Sequence, residues 1–314
     1  MPASGAQPAR PCLRRRVLLS VSCLILAGLS AVAVRSLIDR PLSEAADGLA
    51  GMAPEYVLLA AAMFALAPLF CGLAWHQAIL LAGGRLGRVD ACARYGVGSL
   101  VNSVAPAHLG DVVRAVLLLE RLPPGSRGGI LPWFGVIQGA RLAALAALTI
   151  AALLPGPLAL LALAAPAGAL LVTARRSARL ALFAFVGPFA KAAAIVVVLQ
   201  SLAVGSPRDA LVVVPALELA ALLPLTPGNI GVAGAAAAGA LHAQGLPISE
   251  AVQAGLVLHA IETAAGLVYG TGATLVWTGG LGTNRGLVRG PRALQQRIVR
   301  AVASGRVQAA GSKP

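Results

Sequence analysis

The stretch Tyr95-Gly-Val-Gly98-Ser-Leu-Val-Asn102-Ser-Val-Ala-Pro106-Ala-His108-Leu-Gly110-Asp111-Val-Val-Arg114-Ala-Val-Leu-Leu-Leu-Glu-Arg-Leu122 decides how the chain is read. It is apolar enough to enter a membrane, yet its middle holds Asn102, His108, Asp111 and Arg114 around a proline and a glycine. Proline lacks a backbone N–H and ends one helical arm; it is also the residue that best begins the next. The spacing therefore predicts a re-entrant helical hairpin with its tip at Pro106, not a plain span. A second stretch, Ala210 to Gln244, has the same character. Pro215, Pro224 and Pro227-Gly228 interrupt it.

The two stretches align at an offset of 121 residues. Pro106-Ala-His-Leu-Gly110 matches Pro227-Gly228-Asn229-Ile-Gly231, and the offset continues into the next helix, where Gln138 matches His259 and Arg141 matches Glu262. Each unit thus reads Pro-x-x-x-Gly followed by a polar pair at i, i+3, which share one helix face. The preceding spans carry Pro68 and Pro188, at an offset of 120.

Around these hairpins the chain is built of apolar runs. Of its 314 residues 58% are hydrophobic and 11% charged, and the mean hydropathy is +0.83. Soluble domains carry about 25% charged residues, so an ordinary soluble fold is excluded, as is disorder. Strands of alternating polarity, which a membrane β-barrel needs, are absent. The expectation is an all-α polytopic bundle with six full spans, at about 17–34, 56–83, 130–154, 157–173, 180–204 and 251–278. The fourth of the polar interruptions, at 174–179, is a short basic loop. Residues 1–16 form a basic N-terminal tail, 17–278 the membrane domain and 279–314 a basic C-terminal tail. The two repeats cover about 56–154 and 180–278. The run after Arg16 ends in Ala31-Val32-Ala33, similar to a signal-peptidase site, but its 18 residues read better as an uncleaved span.

Net charge is +14, from 25 Lys and Arg against 11 Asp and Glu. The basic residues flank the apolar runs, which argues against nucleic acid as a partner. With both hairpins re-entrant, 19 basic residues fall on the side of the termini and 3 on the other, the remaining 3 lying within membrane segments. The positive-inside rule then places both termini in the cytoplasm and the hairpins on opposite sides, an inverted repeat like those of secondary transporters. A bacterial plasma-membrane location is expected.

Charge inside an apolar segment is expensive and marks function. Arg141, Lys191, Glu218 and Glu262, with Gln138 and His259, are therefore the expected polar pathway. Arg141 and Glu262, equivalent in the two repeats and opposite in charge, are expected to pair directly. At the hairpin tips a half-helix that begins at proline presents free N–H groups to an anion. Asn102, Pro106, His108, Gly110, Asp111 and Arg114 in the first hairpin, and Thr226, Pro227, Gly228, Asn229 and Gly231 in the second, are the lipid-headgroup candidates. Asp111 sits three residues from Arg114 and can pair with it. No P-loop, GxSxG or HExxH motif occurs, so no catalytic residue is assigned and the chain is not expected to be an enzyme. Cys12, Cys23, Cys71 and Cys92 form no CxxC pair and the histidines have no metal spacing, so no metal or cofactor is expected.

Gly98-Ser-Leu-Val-Asn102-Ser-Val-Ala-Pro106-Ala-His108-Leu-Gly110-Asp111-Val-Val-Arg114 resembles the Asn…Pro-x-Arg-x-Gly-Asp-x-x-Arg region of the lysylphosphatidylglycerol synthase transmembrane (flippase-like) family. Leu223-Pro-Leu-Thr226-Pro227-Gly228-Asn229-Ile-Gly231-Val resembles its Pro-x-Thr-Pro-Gly-Gly-Ile-Gly-Val motif. The resemblance covers roughly residues 15–280. The family often has Arg at the position of His108 and Glu at that of Gly234. No soluble aminoacyl-transferase domain follows residue 280, so the resemblance implies a stand-alone lipid handler without synthase activity. The expected role is to bind an anionic lipid or lipid-linked intermediate and move it between leaflets. The alternative is a non-transporting membrane partner of a separate lipid synthase or glycosyltransferase, held through the basic tail.

Overall fold

A computed structural model describes residues 43, 46–104, 109–123, 125, 127–173, 177–222 and 231–279. The described residues are helical throughout, without strands. A short helical segment over 46–51 precedes α1 (Pro54–Leu81), α2 (Arg88–Val104), α3 (Leu109–Leu119), a 3₁₀ turn (Arg127–Ile130), α4 (Leu131–Leu153), α5 (Pro157–Thr173), α6 (Ala178–Ser201), α7 (Asp209–Ala220), α8 (Val232–Ala243) and α9 (Ile248–Thr278). Four helical stretches are long and apolar enough to cross a membrane: Pro54–Leu81, Gly128–Leu153, Ala178–Ser201 and Ile248–Thr278. α5, with 17 residues, is apolar along its whole length. The expected first span, both tails and both hairpin tips (Pro106 and His108; Thr226, Pro227, Gly228 and Asn229) lie outside the described residues.

The long helices α1, α4, α6 and α9 are apolar on every side, as helices surrounded by lipid are. Small residues mark many of their close contacts. On α4, Ala140, Ala144, Ala147 and Ala151 form a buried stripe at helical spacing, whereas Leu142, Ile150 and Leu153 stand exposed. In lipid, apolar transfer gives no drive to bring helices together, so close packing of small residues does that work. α2 and α9 show the effect: a methyl on Gly270 would lie 2.7 Å from Leu100 Cβ and 2.9 Å from the Leu100 backbone N.

Pro68 and Pro215, read from the sequence as breaks, do not interrupt their helices, and the span over Pro188 is continuous as expected. Pro68 lies inside α1, Pro188 inside α6 and Pro215 inside α7. In apolar surroundings the backbone finds no water to replace its intrahelical bonds, so the helix continues past a proline that would break it in water.

At an offset of 121 the helices of the two halves correspond in order. Arg88, which opens α2, maps onto Asp209, which opens α7; α3 maps onto α8 and α4 onto α9. The equivalent helices α1 and α6 pack against each other antiparallel. Met52, Ala60 and Phe64 cluster with Ala194–Leu199, while Ala74, Ala78 and Ile79 cluster with Leu180, Ala181 and Ala184. Between these clusters Phe70 stacks on Phe183 at 6.2 Å. A Cβ at Gly187 would lie 3.7 Å from the carbonyl oxygen of Ala67, its equivalent at the proline offset of 120. Residues equivalent at that offset thus meet where these two antiparallel helices pack.

α2 and α3 form an antiparallel pair. Arg94 Nη1 donates to the Leu117 carbonyl at 2.8 Å, Arg121 pairs with Asp90 at 3.1 Å, and Gly98 faces Gly110. α7 and α8 pack together in the second half. Gly231, with φ +87°, occupies the position before α8, where only glycine is unstrained.

Candidate functional site

The arms of both hairpins and the long helices α4, α6 and α9 enclose one cavity of about 800 Å³. Its polar lining includes Asn102, Asp111, Arg114, Gln138, Arg141, Lys191, Glu218, His259 and Glu262, which are the expected pathway residues together with three of the headgroup candidates. Gly110 and Gly231 do not line it. The sequence thus points to one place through residues spread over 160 positions, because each is an ionisable or amide side chain in an otherwise apolar helix.

Four charges form a chain on one wall. Arg141 Nη2 donates to Glu218 Oε2 at 2.6 Å, Lys191 Nζ lies 2.8 Å from Glu218 Oε1, and Lys191 Nζ also lies 2.9 Å from Glu262 Oε1. Arg141 and Glu262 therefore do not pair directly, as the repeat had suggested; Glu218 and Lys191 stand between them. The physical reason is that Arg141 and Glu262 stand on α4 and α9, with Glu218 of α7 and Lys191 of α6 interposed, whereas Ala67 and Gly187 stand on helices in direct contact. Lys191 and Glu218 have no charged counterparts, since their equivalents, at offsets of 120 for α6 and 121 for α7, are Cys71 and Val97. Each buried charge finds an opposite partner, the condition under which ion pairs persist away from water.

The first hairpin supplies the second cluster. Arg114 Nη2 lies 3.2 Å from Asp111 Oδ1, and the guanidinium sits over the Tyr95 ring at 4.2 Å from its centroid. Asn102 Nδ2 donates to Asp111 Oδ1 at 3.0 Å. The pairing of Asp111 with Arg114 read from their spacing is thus present. Yet Arg114 Nε and Asn102 Oδ1 are buried without a hydrogen-bond partner among the described residues, as is His259 Nδ1. Tyr95 is the contact that the sequence did not disclose, because nothing in a separation of 19 residues indicates stacking. Gly110 serves this cluster indirectly: a methyl there would overlap the Gly98 carbonyl oxygen and Asn102 Oδ1. Gly234, where the resembled family often has Glu, packs instead against α9, with Leu256 Cδ2 3.3 Å from a Cβ placed there.

The cavity also has an apolar side. Leu142, Leu219 and Leu222 line it and are at the same time largely exposed on the outer surface. Leu142 lies midway along α4, so the cavity meets the outside at a leucine lip at mid-helix height. Among the described residues no group of His, Cys, Asp and Glu could hold a metal ion. Comparison of the sequence with protein-family models and with curated proteins finds no match.

Proposed function

We propose that the chain is a multi-pass membrane protein of the flippase-like kind, which takes an anionic lipid headgroup into this cavity and passes it between leaflets. The observation that carries the reading is the combination of a polar, charge-lined interior with a leucine lip at mid-helix height. A water-soluble ligand has no use for such a lip, whereas a lipid can keep its acyl chains outside while its phosphate reaches Arg114. A phosphate gains charge-assisted hydrogen bonds there, and Arg114 Nε is a donor with no hydrogen-bond partner among the described residues.

Six spans, two re-entrant hairpins and an inverted repeat complete the proposal. The antiparallel packing of α1 on α6 at equivalent residues supports inversion, because an axis that exchanges two antiparallel membrane-crossing helices lies in the membrane plane. The distribution of charge supports the orientation. Arg85, Arg88, Arg121 and Arg179 gather at the α2–α3 end, while Arg208 sits at the opposite end, donating to the carbonyls of Ala152 and Leu154 at 2.6 and 3.1 Å. The α2–α3 end is then cytoplasmic.

Native mass spectrometry in matched detergent tests the headgroup site. Arg114→Ala is expected to weaken binding of phosphatidylglycerol far more than that of phosphatidylcholine. Arg114→Lys restores the charge without the planar fork and is expected to recover part of the binding. Normal phosphatidylglycerol binding by the Asp111→Asn/Arg114→Gln double variant would contradict the site, since Arg114 would then serve only to neutralise Asp111.

A further inference from the structure

The cavity is electrically balanced before any ligand enters. Its charged lining is Arg114, Arg141 and Lys191 against Asp111, Glu218 and Glu262, three of each sign. An anionic headgroup brought into this space has no standing excess of cation to meet. In a site screened from water an uncompensated charge is costly, and the usual relief is that a titratable group changes its protonation. The carboxylates are not equal in this respect. Both oxygens of Glu218 are held, one by Arg141 and one by Lys191, and its side chain is 14% exposed. Glu262 has one ion-pair contact, Oε1 to Lys191, and is 26% exposed. His259 lies one turn earlier on the same face of α9, with Nδ1 buried and unpartnered and Nε2 3.5 Å from Thr263 Oγ1.

We infer that entry of the anionic headgroup is coupled to uptake of one proton by the His259–Glu262 pair, so that the protein is a proton-coupled lipid carrier. This rests on the headgroup reading above. The proton comes from bulk water, enters through His259 and resides on the pair while the headgroup is bound. Neutralising Glu262 loosens its hold on Lys191, whose ammonium then turns towards the phosphate; headgroup release returns the ion pair and expels the proton. The other groups facing the pair are Lys191 from α6, Glu218 from α7, Arg141 from α4, Arg114 and Asp111 from α3, and Tyr95 from α2; α1 and α8 bring no titratable side chain to the described cavity. Arg141, Lys191, Glu218, Asp111 and Arg114 are ion-paired and Tyr95 lies under the Arg114 guanidinium, whereas the His259–Glu262 pair joins a carboxylate whose ion pair uses one oxygen to an imidazole nitrogen with no hydrogen-bond partner among the described residues, so the proton falls there.

The test adds short-chain phosphatidylglycerol to the detergent-solubilised full chain in weak buffer containing a pH indicator. The expected result is uptake of close to one proton per lipid bound, with affinity rising about tenfold per unit fall in pH across the titrating range. Glu262→Gln, which mimics the protonated state, is expected to bind with no proton uptake and with affinity flat in pH. Glu262→Asp retains both effects and controls for folding. Binding by the wild type without proton uptake, or with a sodium requirement in its place, overturns the coupling and leaves the headgroup site standing. No phosphatidylglycerol binding at any pH overturns the headgroup reading, and the coupling with it.

Discussion

At the scale of single residues the site is a chain of four charges whose middle members matter most. Glu218 holds both Arg141 and Lys191. Breaking a buried pair by removing one partner costs about 3–5 kcal/mol, because the other charge stays buried alone. Glu218→Gln is therefore expected to lower the melting temperature in detergent more than Arg141→Gln, which frees only one oxygen of a carboxylate that Lys191 still holds. Double-mutant cycles are expected to give strong coupling for Lys191–Glu218 and weak coupling for Arg141–Glu262, which share no direct contact. Equal coupling for the two pairs would refute this arrangement. The members of the chain were legible in the sequence, since a charge in an apolar run stands out by its cost. Their partners were not: the repeat offset names equivalent positions, and equivalence in sequence does not say which positions lie close enough to meet.

At the scale of helices, the account turns on where glycine permits contact and where it is incidental. Added bulk in a packed interface costs about 1–3 kcal/mol. Gly110→Ala meets the Gly98 carbonyl and Asn102, and Gly270→Ala meets the backbone of Leu100, so both are expected to lower thermal stability in detergent. Gly139→Ala, with nothing within 4 Å of the added methyl, is expected to leave it unchanged or raise it. Loss of stability in Gly139→Ala as large as that in Gly110→Ala would contradict the packing. The helix–break–helix character of 88–119 was legible from its polar residues and Pro106. The continuity of α1 and α7 through Pro68 and Pro215 was not, because proline's effect on a helix depends on whether water can take up the freed carbonyl. Which face of each helix is buried was likewise hidden, since to a hydropathy scan both faces are apolar.

At the scale of the whole molecule, the orientation and the inverted repeat make one joint prediction. Single cysteines at Ser206 and Gln244 are expected to react with an impermeant reagent added to intact cells, and one at Arg179 only after the membrane is opened; all three positions are exposed on the protein surface. Labelling of Arg179→Cys in intact cells would reverse the topology. The all-helical class was legible from composition and the apolar runs, and the shared cavity follows from the offset of 121 once α1 and α6 are seen to pack antiparallel. What no pattern in the sequence disclosed is that the mouth of this cavity is a leucine lip, because Leu142 is distant in the chain from Leu219 and Leu222 and joins them only in the lining of the cavity. That lip is what makes a lipid the expected cargo. The central claim is tested most directly by reconstituting the full chain into liposomes that contain headgroup-labelled phosphatidylglycerol and bleaching the outer leaflet with dithionite. The account predicts that the protein lets the protected inner fraction fall well below the half retained by protein-free liposomes, and that Arg114→Ala restores it. An inner fraction that stays at one half with the folded wild-type protein, at acidic and neutral pH alike, would contradict it.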